Sequence, residues 1–296
     1  MDLCVAGLPI CVESADTAFF EQRFAEYRRD DGREPLLTMR TRRLDHIPVP
    51  EGEPVQTIKR IEIVRLADGR FCRFVRGRYP DGSLGPVLFA IYYTPDYSEV
   101  DIELYSRCRH PVFSLTDYEY MYTGASFHNR LAYLGGGVLH SSSIAYKGQG
   151  IAFSAPSGTG KSTHTGLWKE VFGDKVEIVN DDKPAIWFDG DRAMLCGTPW
   201  SGKTALNRNI AVPLRAIVII ERGEENAIRR LDTVDSMFHL TTQICRPYYD
   251  EALGIQMLDF TERIQAHVPV YCLTCNISRE AVETVYNELF SQEDMK

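Results

Sequence analysis

Residues 150–168 read GIAFSAPSGTGKSTHTGLW. An apolar run, IAFS, reads as a strand. KSTHTGLWKEVF, up to Gly173, carries apolar residues at helical spacing and reads as a helix stopped by glycine. A glycine-rich loop carried from a strand to a helix start can cradle an anion. Its amides converge on one point, and the helix N-terminus adds positive potential. The pattern G-x-x-x-x-G-K-[ST] is met at every position but the first, where Ala155 stands. Gly158 and Gly160 let the backbone curl. Lys161 would reach the β- and γ-phosphates, the Ser162 hydroxyl suits Mg²⁺, and Thr163 can touch the α-phosphate. The expected nucleotide-binding set is therefore Ser157, Gly158, Thr159, Gly160, Lys161, Ser162 and Thr163. The absent glycine is harmless if Ala155 keeps a negative φ, as a residue just after a strand usually does. The competing reading, a Gly/Ser-rich turn that merely caps a helix, does not explain the lysine–serine pair at the helix start.

The neighbours decide the sheet. VLHSSSIAY, residues 138–146, reads as a strand, and Lys147–Gly150 connects it to IAFS. So short a connection holds no crossover helix, which makes the two strands antiparallel. VEIVNDD is a further strand, and AIWFDGDRAMLC folds back around Asp189-Gly190. The loop thus belongs to an α/β fold in which a P-loop sits in a mixed, partly antiparallel sheet.

VEIVNDD ends in Asp181 and Asp182. Carboxylates at a strand end beside a phosphate loop stand where a Mg²⁺ ligand is needed. One can hold the ion and the other can take a proton from an attacking hydroxyl. The competing reading is an Asx-type turn into Lys183-Pro184. His140 is expected on the strand before the loop strand.

The order His140, then SGTGKS, then Asp-Asp resembles the bifunctional HPr kinase/phosphorylases. It is also similar to the ATP-dependent phosphoenolpyruvate carboxykinases, which are related to them in fold and carry S-G-T-G-K before a hydroxyl residue. The GKSTHTGLW and GTPWSG stretches look like those of a bacterial HPr-kinase-like group. The resemblance covers about residues 138–231. It implies a phosphoenolpyruvate carboxykinase-like sheet, ATP or another nucleoside triphosphate, Mg²⁺, and catalytic roles for His140, Lys161 and Asp181. Asp181 would be the base, and Asp182, with Ser162, the metal partner; the two acids can exchange roles. The chain departs from the kinase family at Thr163-His164, where that loop continues with Glu.

Three functions compete. The first is a Mg-ATP-dependent kinase that passes the γ-phosphoryl group to a hydroxyl on a protein or a small molecule. The second is a non-catalytic nucleotide-binding regulatory module, which needs neither a base nor two acids. The third is a carboxykinase-like lyase, for which basic groups and further metal ligands are not evident. Gly197–Arg208 carries Trp200, Lys203 and Arg208. It reads either as a loop that brings a cation to the phosphates or as a long connection around a packed Trp. His164 and Trp168, one turn apart, are expected to pack against the core.

Before the P-loop region, residues 1–115 read as an antiparallel, β-rich accessory domain, with residues 116–296 as the nucleotide-binding domain. Leu3–Ile10 reads as one strand, Ser14–Tyr27 as a helix, and Arg33–Pro54 as irregular. A hairpin turns at Ala67-Asp68-Gly69, and Thr116–Leu134 is a helix. After it, AIVIIER and VPVYCLTC are strands. Thr233–Cys245, Asp250–Ala266 and Ser278–Phe290 are helices, the last with Ser278 as its N-cap.

Hydrophobic residues make up 44% of the 296 and charged residues 25%, which is ordinary for a globular chain. The net charge of −8 argues against a nucleic-acid partner, so Arg40–Arg43 is read as a solvated surface. No window approaches the roughly 18 apolar residues of a membrane span, and no basic leader is evident, so a cytoplasmic protein with no membrane partner is expected. A homo-oligomer is left open. Of eight cysteines, only Cys272 and Cys275 form C-x-x-C, on a strand whose alternation sends them to opposite faces; they are expected to be free thiols.

Overall fold

The computed structural model describes residues 1–247 and 249–291. They form two compact units. The first is Met1–Leu134 with the short segment 247–251; the second is Gly135–Arg246 with the described residues from Ala252 on. Among the described residues no helix is long and apolar enough to cross a membrane.

The first unit holds β1 (Asp2–Val5), β2 (Leu8–Glu13), α1 (Thr17–Arg23), β3 (Leu37–Leu44), β4 (Glu53–Ile58), β5 (Ile61–Arg65), β6 (Phe71–Arg78), β7 (Leu84–Tyr93), β8 (Glu99–Tyr105) and α2 (Leu115–Tyr133). The strand order is β1-β2-β3-β8-β7-β6-β5-β4. The sheet is mixed rather than antiparallel, because β2 and β8 both pair parallel with β3. The expected strand Leu3–Ile10 is two strands, turned by Ala6 and Gly7 at φ 51° and 79°. The expected helix from Ser14 is shorter; a single 3₁₀ turn, Ala25–Tyr27, follows it, and Phe20, Phe24 and Tyr27 are fully buried.

β3 lies in the stretch read as irregular. Leu37, Met39 and Thr41 alternate inward, while its arginines face carboxylates. Arg40 pairs with Glu13, Glu99 and Asp101, and Arg43 with Asp16 and the fully buried Glu119. Arg42 is exposed, whereas Arg40 is ion-paired to neighbouring strands and Arg43 to the α1 N-cap and α2. Residues 247–251 belong here because Tyr97 Oη donates to Asp250 at 2.8 Å and Asn129 donates to Tyr249 Oη at 2.9 Å.

The second unit holds β9 (Gly137–Val138), β10 (Ser141–Tyr146), β11 (Gln149–Ser154), α3 (Lys161–Phe172), β12 (Val176–Asn180), β13 (Ala185–Asp189), β14 (Arg192–Cys196), β15 (Ala211–Arg222), β16 (Ala227–Arg230), α4 (Thr233–Gln243), α5 (Glu251–His267), β17 (Val270–Cys275) and α6 (Arg279–Phe290). Its sheet runs β12-β10-β11-β15-β14-β13-β9, with β17 on β15 and β16 on β17. It is mixed: β11/β15 and β15/β17 are parallel, while β10/β11, β10/β12 and β13/β14 are antiparallel. The β10–β11 hairpin turns through Lys147 and Gly148, both at positive φ, in the two-residue turn that suits the twist of paired strands. β16, a short polar strand, is not evident in the sequence.

α3 packs on this sheet through Lys161, His164, Thr165 and Trp168, which share one face and are buried. Trp168 joins Ile144, Phe153, Val218, Val282 and Phe290 in the core. α6 begins at Ser278, whose hydroxyl accepts from the Ala281 amide, as its N-cap. Cys272 and Cys275 are buried free thiols, and burial pushes the Cys272 thiol up to about 11. Cys275 lies in the α6-facing core with Leu273, while Cys272 is on the other face of β17.

Candidate functional site

β11 ends at Ser154 and α3 begins at Lys161, so residues 155–160 form the loop. Gly158 and Gly160 have φ of 80° and 125°, where a Cβ is strained although nothing would obstruct it. The α3 N-cap is Gly160, which supplies no side-chain acceptor to the first-turn amides. Among the described residues, the non-glycine positions with positive φ are Ala6, Lys59, Tyr97 and Lys147. Ala155 is not one of them, and it is fully buried. The Lys161 ammonium donates to the Ala155 carbonyl at 2.9 Å and to that of Pro156 at 3.5 Å. Burial pushes its pKa down, against the opposing pull of the Asp182 and Asp181 charges. Arg222, at the end of β15, donates through Nε to the Thr159 carbonyl at 3.0 Å and through Nη2 to that of Gly158. It ties down the outer side of the loop.

The two acids follow β12 and differ in their surroundings. Asp181 is 7% exposed. Ser142 donates to its Oδ1 at 2.7 Å and Thr204 to its Oδ2 at 3.0 Å. Ser142 is completely buried on β10 and also bonds Thr165 of α3 at 2.8 Å, which locks one side of the carboxylate to the core. Asp182 Oδ1 lies 3.4 Å from His140 Nε2 and its Oδ2 3.5 Å from Lys183 Nζ. Burial pushes the Asp182 carboxyl up, but the His140 hydrogen bond and the Lys183 charge outweigh it and hold the pKa below its usual value. Asp182 is therefore an anion at neutral pH. His140 sits in a bend between β9 and β10 rather than on a strand. Its amide donates to the Gln243 carbonyl and its carbonyl accepts from Ser154 Oγ, at 2.9 and 2.8 Å.

The turn that presents the acids is built by Asn180. Its Oδ1 accepts from the Asp182 and Lys183 amides at 2.8 and 2.6 Å, and its Nδ2 donates to the Thr198 carbonyl at 2.8 Å. The Gly197–Arg208 segment runs along this turn: the Asp181 amide donates to the Leu206 carbonyl and the Arg208 amide to that of Val179, both at 3.1 Å. Trp200 is packed inside, 2% exposed. Gly202, at φ 64°, lies so close to Asp182 that a Cβ would come within 3.1 Å of its carboxylate.

His140, Ser157, Gly158, Gly160, Lys161, Ser162, Thr163, Asp181 and Asp182 line one cleft of about 520 Å³, closed by Ser201–Thr204. Thr159 alone of the expected set lines a second cleft instead, of about 430 Å³, beyond the loop. That cleft shares Gly158, Gly160 and Thr163 with the first and has Leu167, Ile220, Ile277, Asn276 and Arg222 as walls. Its apolar lining contrasts with the charged lining of the first. No group of three or more His, Cys, Asp or Glu side chains among the described residues is placed to hold a metal ion. Mg²⁺ in phosphoryl-transfer sites usually takes only one or two protein ligands. The Ser162 hydroxyl and the anionic Asp182, in one cleft, fit that requirement. His164 is buried, as expected, with Nε2 3.3 Å from Trp168 Nε1, and it also lines the second cleft. Ser142, Thr165, Asn180, Thr204 and Arg222 were not singled out in the sequence; each acts through position alone, without a motif.

No protein-family model and no curated protein matches the chain. Among solved structures it is similar to the Hpr(Ser) kinase/phosphatase from Coxiella burnetii, at 10% identity and a TM-score of 0.32, over 53% of this chain and 98% of that one. The likeness is distant, and the geometry of the cleft carries the functional reading.

Proposed function

We propose that the second unit binds a nucleoside triphosphate with Mg²⁺ and transfers its terminal phosphoryl group to a hydroxyl. The observation that carries this is a single cleft with a loop lysine on one wall and two carboxylates in unlike environments on another. Binding alone would require only the loop. The phosphates lie against the Gly158–Thr163 backbone and the start of α3. Lys161 exchanges its bonds to the Ala155 and Pro156 carbonyls for phosphate oxygens, a small movement of an ammonium that is already desolvated. The ribose and base extend past Thr163 into the apolar cleft between Leu167 and Ile277. Ser162 and Asp182 would hold Mg²⁺, which neutralises charge on the transferred group. Asp181, oriented by Ser142, takes the acceptor's proton. His140 and Lys183 fix the Asp182 carboxylate.

The test is a Mg²⁺ titration of nucleotide turnover and, separately, calorimetric nucleotide binding, for Asp181→Asn and Asp182→Asn. Asp181→Asn should bind normally and turn over roughly 10²–10⁴-fold more slowly. Asp182→Asn should need more Mg²⁺, because a neutral amide holds a hard cation poorly. The opposite pattern exchanges the two roles. Full activity in both variants rules the reading out.

A further inference from the structure

Asp181 carries two hydroxyl partners, and they are not equivalent. Ser142 is completely buried, is shared with Thr165 and does not line the cleft, so it supports the carboxylate from behind. Thr204 lines the cleft beside Lys161 and Ser162, and its Oγ1 lies 3.0 Å from Asp181 Oδ2. A base that activates a hydroxyl must stand within about 2.6–3.2 Å of it. Thr204 already meets that condition from the phosphate side. It also lies 3.1 Å from the Ser201 carbonyl, slightly farther than from the Asp181 oxygen. Ser201, its neighbour in the loop, is 1% exposed and bonded to the Thr204 carbonyl and to Asn207, so it is not available in the same way.

We propose that Thr204 is a phosphoryl acceptor in cis: the chain phosphorylates its own loop at this residue. The inference rests on the kinase reading of the cleft. In the step, Thr204 Oγ1 forms a bond to the γ-phosphorus of the bound nucleoside triphosphate as the bond to the β–γ bridging oxygen breaks. Asp181 takes the hydroxyl proton, and the nucleoside diphosphate leaves with the bridging oxygen. The product holds a phosphate of about −1.5 to −2 charge against Asp181 and Asp182, where like-charge repulsion opposes the present loop position. The reaction is therefore limited to one event per chain and displaces the segment that closes the cleft.

The experiment incubates the full chain with Mg-ATP and follows its mass. Trypsin cuts after Lys203 and Arg208, so the fragment Thr204–Arg208 has Thr204 as its sole hydroxyl residue. One phosphoryl group per chain is expected on that threonine, at a rate independent of protein concentration. Thr204→Val should remove the modification, and Asp181→Asn should slow it roughly 10²–10⁴-fold. Calorimetric binding of Mg-ATP, retained in both variants, shows that they are folded. A chain that binds Mg-ATP but gains no phosphate, or gains it elsewhere, overturns the inference and leaves the nucleotide site standing. A rate that rises with protein concentration overturns the transfer in cis. Failure to bind nucleotide overturns the kinase reading and this inference with it.

Discussion

Acid should loosen the loop helix through one residue. His164 is 3% exposed, with its ring 4.6 Å from that of Phe153 and Nε2 3.3 Å from Trp168 Nε1. As the acceptor of an indole N–H, Nε2 must be unprotonated. Burial pushes the His164 pKa down from 6.5 to about 4. The folded chain therefore binds fewer protons here than the unfolded chain between those values. The stability from neutral His164 is fully present above pH 6.5 and is lost as pH falls through about 4. The shift is worth about 3 kcal/mol, most of it gone by about pH 4.5. Trp168, Trp187 and Trp200 are the chain's three tryptophans, and all lie in the second unit, so indole fluorescence during urea unfolding follows that unit alone. His164→Gln keeps an acceptor for Trp168 but does not titrate. Between pH 7 and 4.5 the native chain should lose about 2.4 kcal/mol more than this variant. Equal losses would refute the assignment of a buried, neutral imidazole.

Lys161→Ala should weaken Mg-ATP binding roughly 10–100-fold, the worth of a charge-assisted bond, while far-ultraviolet circular dichroism stays unchanged. Undiminished affinity in calorimetry would remove the phosphate-loop reading. Gly202→Ala should cost about 1–2 kcal/mol for a left-handed alanine and displace Asp182, whose carboxylate the new Cβ would approach to 3.1 Å. Its expected mark is a higher Mg²⁺ requirement, and an unaltered Mg²⁺ titration would count against Asp182 as metal partner. Ala155→Gly should leave nucleotide affinity within about twofold and lower stability by about 0.4–1 kcal/mol through added freedom of the unfolded chain. A large gain in affinity would show that Ala155 strains the loop.

Local patterns in the sequence revealed much of the second unit's frame. The short link between β10 and β11 rules out a crossover, and Gly173, Asp189-Gly190 and Ser278 mark element ends through local chemistry. The first unit was harder to read, for a physical reason. β3 alternates apolar residues with arginines, which resembles a solvated edge until the carboxylates of Glu13, Asp101 and Glu119 are brought alongside by other elements. Likewise β2 and β8 pair parallel to β3 across long connections, and nothing local encodes those pairings. Nothing in the sequence announces the split of Leu3–Ile10 into two strands, because Ala6, not glycine or asparagine, takes the first left-handed position of the turn.

In the site, the motif exposed the loop and the two acids, but not what holds them. Ser142 and Thr204 are 62 positions apart and have no spacing that announces them; they meet only because β10 and the loop after β14 flank the same strand end. The Asx-type turn into Lys183-Pro184 is present, and Asn180 rather than either aspartate builds it. If either aspartate had capped the turn amides, its carboxylate would have been spent on backbone and withdrawn from the cleft. Asn180 Oδ1 takes both amides, while its Nδ2 reaches the Thr198 carbonyl. The turn and the site are therefore one construction. A neutral amide does the structural work, and two adjacent carboxylates are left for side-chain partners, one paired with hydroxyls and one with cations. That division gives neighbouring identical residues unlike surroundings, and on the proposed reading the hydroxyl-paired acid would serve as base while the cation-paired acid would hold the metal.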